Sequence, residues 1–170
     1  PNLDFDARGK RTVISWLEHI IMLIKSIDKN HAVTIGWSDT GSATILNNKL
    51  DFISFHYYED KKLFKKKYEE LKRKIPNKPI VLGEFGVSSY RGLWRPFGSS
   101  EVEQALYYKE MQEIFSQSKV PFISWTLYDF VKIPKEVVGK LPWRRKAQEH
   151  YGFINKNGEK KKSFEYISSN

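Results

Sequence analysis

The chain has 170 residues, the size of one domain, and carries 29 Lys and Arg against 20 Asp and Glu, a net charge of +9. Its 40% hydrophobic and 29% charged residues are the proportions of a globular protein and exclude a disordered one, and the 15% aromatic content is ample for a core. The absence of cysteine excludes a disulfide framework and a thiolate metal site, and no apolar run approaches the roughly 20 residues of a membrane helix. The basic excess is local. It collects around Lys61–Lys67, Leu71–Lys74 and Lys160–Lys162, the first two on a helical pattern interleaved with Glu69 and Glu70. That arrangement reads as a solvated helix face, so neither a nucleic acid nor a membrane is expected as partner.

Residues 1–9 read as a loop, with Asp4, Asp6 and Gly9. From Thr12 to Ile27 the apolar positions Val13, Trp16, Leu17, Ile20, Ile24 and Ile27 recur at helical spacing, a face broad enough to pack on a sheet. His31–Trp37 is a first strand, followed by the loop Ser38–Ser42 and a helical turn within Ala43–Asn48. Asp51–Tyr58 is a second strand, residues 60–74 a lysine-rich helix stopped by Pro76, and residues 79–85 a third strand. The loop Ser88–Gly98 is rich in aromatics and arginine. Ser99 or Ser100 caps the next helix, with Glu103 placed for a capping box. That helix runs to about Ser116 with Val102, Leu106, Tyr107, Met111 and Ile114 facing inward. Pro121–Tyr128 is a fourth strand. Residues 129–150 show no clear period, a turn lies at Asn157-Gly158, and Ser163–Ile167 starts a last helix. Strands alternating with helices argue an α/β fold of parallel βα units, with no internal repeat and no linker.

The third strand carries a conflict. Ile80, Val81 and Leu82 form a buried run that leads into Glu84, with glycines at 83 and 86. Burying an ionised carboxylate without partners is very costly, so Glu84 is either paired in a structural network or placed at a strand end to do chemistry. Strict alternation puts it on the face of Leu82 and Ile80. His56 and Tyr58 share a face at the end of the second strand, Trp37 ends the first, and Trp125 lies in the fourth. In parallel α/β folds ligands bind at that end. A carboxylate, a histidine, a tyrosine and two tryptophans there make a sugar site, since flat aromatic faces stack on pyranose rings.

On these residues the chain resembles the clan A glycoside hydrolases, the superfamily of cellulases and β-mannanases. Gly83-Glu84-Phe85-Gly86 resembles the nucleophile strand, His56-Tyr57-Tyr58 the His-x-Tyr of the preceding strand, and Trp125 the tryptophan that floors the sugar subsite. The ending from Tyr151-Gly-Phe-Ile through Gly158 to Lys162 is similar to the family's closing segment. The resemblance implies the C-terminal half of a (β/α)₈ barrel, strands five to eight, spanning residues 1–170. It implies retaining hydrolysis of a β-linked polysaccharide or oligosaccharide, with Glu84 as nucleophile oriented by Tyr58 and aided by His56. Trp125 and Trp37 are the expected stacking residues, with Trp94 and Arg91 lining further subsites.

Pro1-Asn2 resembles the continuation of the family's Asn-Glu-Pro motif, which places the acid/base glutamate directly before Pro1. The expected partner is then the N-terminal half barrel, in the same or a complementary chain, or a second copy, because an open half barrel leaves strand edges and apolar faces uncovered. This portion alone is expected to be inactive. A non-catalytic sugar-binding relative is the alternative. No cofactor or metal is implied, and a polysaccharide substrate favours a secreted or periplasmic location.

Overall fold

A computed structural model of the chain describes residues 1–168. The chain forms two compact units, one of residues 1–84 with 120–123, the other of residues 85–119 with 124 onward.

In the first unit the expected N-terminal loop is helical. A 3₁₀ turn, Asn2–Asp4, runs into α1 (Phe5–Arg8), with Asp4 and Asp6 in the first turns, where carboxylates suit the helix dipole. The Asn2 amide donates to Ser38 Oγ at 2.6 Å and Asp39 Oδ2 at 2.7 Å and fixes this segment. Helix α2 (Lys10–Ile27) buries Val13, Leu17 and Ile21, one row at four-residue spacing. The broader inward face does not form: Trp16, Ile24 and Ile27 are exposed.

The first strand is shorter than the apolar run suggests. Strand β1 is Gly36–Trp37, while Val33 N donates to Asp51 Oδ2 at 2.7 Å and Thr34 Oγ1 to Phe52 O at 2.8 Å. In residues 31–35 these side-chain bonds join a single backbone bond, Asp51 N to Val33 O at 3.0 Å, in place of a regular ladder. Strand β2 (Ile53–Tyr57) runs parallel to β1, with Gly36 opposite Ser54 and Trp37 opposite Phe55. Asp60 caps α3 (Lys61–Lys74) by accepting from Lys62 N at 2.9 Å. Helix α3 buries Phe64, Tyr68 and Leu71 and leaves its lysines outside, with Phe64 meeting Tyr57 edge-on at 5.0 Å and lying 6.3 Å from Phe55. Strand β3 (Ile80–Phe85) follows, and the sheet order is β1-β2-β3. The expected fourth strand continues the sheet for a short distance. Leu82 N donates to Pro121 O and Ile123 N to Leu82 O, a parallel bridge of Leu82 with Phe122, and regular pairing goes no further.

The second unit is built around α4 (Glu101–Ser118), which starts with the expected capping box of Ser100 and Glu103. Its inward face is turned from the expected one: Gln104, Ala105, Tyr108, Met111 and Phe115 are buried, and Val102 and Leu106 are exposed. Gln104 is inside because its polar atoms are satisfied: Nε2 donates to Val87 O at 2.9 Å, and Oε1 accepts from Ser163 Oγ at 3.1 Å. Two short helices, α5 (Lys135–Val138) and α6 (Pro142–Gln148), occupy the stretch without a period. The turn at Asn157-Gly158 forms, with Gly158 at φ 85° and Asn155 N donating to Glu159 O. A 3₁₀ turn, Lys162–Phe164, leads into α7 (Glu165–Ser168). The third lysine run is not uniformly solvated. Lys161 is buried, with Nζ 2.7 Å from Asp129 Oδ1 and 3.0 Å from Ser89 Oγ.

Candidate active site

The site grows from the two faces of β2. Phe55 and Tyr57 point at α3, so alternation aims Ser54, His56 and Tyr58 the other way. Tyr57 is held on the helix side by its hydroxyl, which donates to Asp60 O at 2.7 Å, and burial pushes its pKa up to about 12. On the opposite face the Tyr58 hydroxyl donates to Glu84 Oε1, and His56 Nδ1 lies 3.4 Å from Glu84 Oε2. Each carboxylate oxygen therefore has its own partner. The side chains of Glu84 and His56 are 26% and 29% exposed, so the carboxylate is held yet reachable.

Glu84 reaches this face through a break in the strand's alternation. A β-carbon at Gly83 would fall on Ser54 Oγ, so residue 83 also faces the His56 side of β2. Two consecutive residues thus meet one face, and Phe85 returns beneath α4, edge-on to Phe115 at 4.9 Å. Strict alternation, which sets Glu84 beside Leu82 and Ile80, fails by one residue, as at a β-bulge. Glycine at 83 permits the close approach to Ser54. Gly36 does the same for the histidine, since a β-carbon there would lie 2.8 Å from His56 Nε2. Ser54 and Gly36 are supporting positions that the sequence alone does not single out, and Gly83, part of the nucleophile-strand motif, is a third. The glycines beside Glu84 and Trp37 are the signal that marks them.

The remaining expected residues have other surroundings. Trp37 is fully buried, 6.4 Å from the Phe5 ring. It presents no open face to a sugar, because the end of β1 is covered by the helical turns of residues 2–8, where the sequence predicts a loop. In the second unit Trp125 is partly exposed beside Phe130, its N–H donates to Phe85 O, its carbonyl accepts from Tyr108, and the Trp125–Thr126 peptide is cis. Trp94 is half-exposed in its loop. Arg91 is committed elsewhere: it donates to Gly98 O at 2.6 Å and to both oxygens of Glu103 at 2.6 Å, which ties the loop to the start of α4. His150 Nδ1 lies 2.7 Å from Lys146 O, and His31 pairs with Asp28. Among the described residues no group of three or more His, Cys, Asp or Glu side chains is placed to hold a metal.

A carboxylate at a strand end that accepts from a phenol is held in one orientation, an arrangement suited to nucleophilic or general-base chemistry. Comparison with known proteins gives the family. The family model described as glycosyl hydrolase catalytic core matches residues 14–140. The mannan endo-1,4-beta-mannosidase 3 of Solanum lycopersicum is 25% identical over 67% of this chain and 36% of its own length. Among solved structures, the GH2 beta-galacturonidase from Eisenbergiella tayi, bound to glycerol, superposes with a TM-score of 0.73 at 18% identity, over 96% of this chain and 30% of that one. A beta-1,3-glucanosyltransferase of Rhizomucor miehei, an active-site mutant in complex with laminaritriose, gives 0.67 at 13% identity, over 92% of this chain and 59% of that one. The structural likenesses speak for the α/β fold, and the chain spans about a third of the length of the tomato relative. The sequence match decides the family: this chain belongs to the glycosyl hydrolase catalytic-core family.

Proposed function

We propose that the chain is the C-terminal half of a (β/α)₈ barrel and supplies the nucleophile side of a retaining endo-β-glycanase. The observation that carries this reading is the carboxylate of Glu84 at the end of β3, gripped by Tyr58 and flanked by His56 while still reachable. Glu84 attacks the anomeric carbon as the glycosidic bond breaks, and the leaving oxygen takes a proton from a second carboxyl group. Water then attacks the glycosyl–enzyme ester, and that second group, now a carboxylate, accepts the water's proton. Such a pair stands about 5–5.5 Å apart in retaining enzymes. The second carboxyl is contributed by residues other than 1–170, in the half barrel that pairs with this one. Tyr58 keeps Glu84 aimed, His56 positions the carboxylate or a sugar hydroxyl, and Trp125 stacks on the sugar ring.

β-1,4-Mannan is the first substrate to test, on the strength of the tomato relative's activity. The full-length polypeptide that contains this chain and its Glu84→Gln variant are assayed on mannan and β-glucan panels. The variant is expected to lose activity on the order of 10⁶-fold, the scale of removing a nucleophile. A 2-fluoro-glycoside trap should label Glu84, as mass spectrometry of the peptide would show. Hydrolysis unchanged by the substitution removes Glu84 from the mechanism.

A further inference from the structure

The loops of the second unit enclose a cleft of about 520 Å³ that the proposed hydrolysis does not use. Two of its lysines are already neutralised: Lys146 Nζ is 2.7 Å from Glu149 Oε2, and Lys161 Nζ is 2.7 Å from Asp129 Oδ1. Lys132, Arg145 and Lys156 also line it and have no ion pair among the described residues, with Glu101 the unpaired acid on the same wall. The cleft therefore keeps a local excess of positive charge after its internal pairs are formed.

Arg145 marks where that charge is poised. Its Nε is buried and donates no hydrogen bond among the described residues. No acceptor among the described residues therefore draws the Arg145 side chain away from the cleft it lines. The planar fork of arginine matches a carboxylate with two parallel hydrogen bonds, and a mobile lysine such as Lys132 adds a second charge. The cleft is not lined by charge alone. Phe130 gives it an aromatic wall and Asn157 an amide at its rim. An apolar ring face beside a few convergent polar groups suits a sugar better than a bare ion.

We propose that this cleft binds an acidic sugar residue, with a uronate carboxylate on Arg145 and Lys132 and its ring against Phe130. The glycoside hydrolase reading supplies the carbohydrate class of the ligand; the unpaired cations and the aromatic ring of the lining stand without it. The site would select glycans that carry carboxylates.

The test is a binding titration, by calorimetry, of the full-length polypeptide that contains this chain, with three probes: an oligogalacturonate, a neutral manno-oligosaccharide of equal length and sodium sulfate. The oligogalacturonate is expected to bind at least about tenfold more tightly than the neutral sugar, the scale of one charge-assisted contact, and more weakly as salt rises. Arg145→Gln should weaken that binding by about tenfold or more with the circular dichroism spectrum unchanged. If Arg145→Gln disturbs folding, Lys132→Gln on the exposed loop decides in its place. Equal affinity for the neutral sugar, wild-type affinity in a folded Arg145→Gln protein, or sulfate binding as tightly as the oligogalacturonate each overturns the proposal. Repeating the titration in Glu84→Gln protein keeps the outcome separate from that of the hydrolysis assay.

Discussion

At Gly83 the space for a side chain is already filled by Ser54 Oγ, and the next residue is the carboxylate of the site. Gly83→Ala is therefore expected to destabilise the fold by about 1–3 kcal/mol, the usual cost of overpacking, as urea denaturation would measure. Removing the obstacle with Ser54→Gly should recover much of that loss in the double variant, a coupling that two independent sites would not show. The site residues differ in how readable they were. Glu84, Tyr58 and His56 stand out because each ends an apolar run with a polar group. Trp37 has the same pattern, yet it is fully buried. Composition along one strand cannot say whether a helical turn from residues 2–8 will lie over its end. Lys161 is the opposite case: its neighbours in the lysine run are exposed, and nothing local marks it as the buried partner of Asp129.

Elements were legible where their signal is local. The capping box at Ser100 and Glu103 is a short-range pattern, and it formed as read. The inward face of α4 was not legible, because it depends on Gln104 finding partners in Val87 and Ser163, residues remote in sequence. The same cap gives the helix a pH dependence. The Ser100 backbone N–H, the Ser100 hydroxyl and the Arg91 guanidinium lower the Glu103 pKa from 4.5 to about 2. The folded-state value is depressed, so the stabilisation is present above about pH 4.5 and is lost as pH falls from there toward 2. Thermal midpoints of wild type and Glu103→Gln should therefore differ most near neutral pH and converge in acid. A gap that stays constant down to pH 2 would mean that the carboxylate's charge does not stabilise the cap.

For the molecule as a whole, parallel βα organisation followed from the alternation of strand and helix patterns, and strand lengths did not. The exposed side of α2 bears on association. Trp16 is 59% exposed and Ile27 78%, with Leu23 between them on the same stripe at helical spacing. Such a stripe favours association with whatever apolar surface is offered, a complementary half barrel or a second copy. Sedimentation velocity of the isolated chain is expected to show concentration-dependent association. The double variant Trp16→Ser, Ile27→Ser should weaken it by about tenfold or more, since each side chain loses apolar contact area. Association unaffected by the two substitutions would place the contact elsewhere.

The one-residue slip at Gly83 and Glu84 separates two demands on a single strand. Leu82 and Phe85 answer to the core, while the residue between them that carries the carboxylate answers to no packing neighbour beneath a helix. Position 84 is in this sense modular: its chemistry can be erased, exchanged or restored while the scaffold keeps its shape. A catalytic loss there would be silent to expression and solubility, and a lineage could drift from cleaving sugars to merely holding them without passing through an unfolded intermediate.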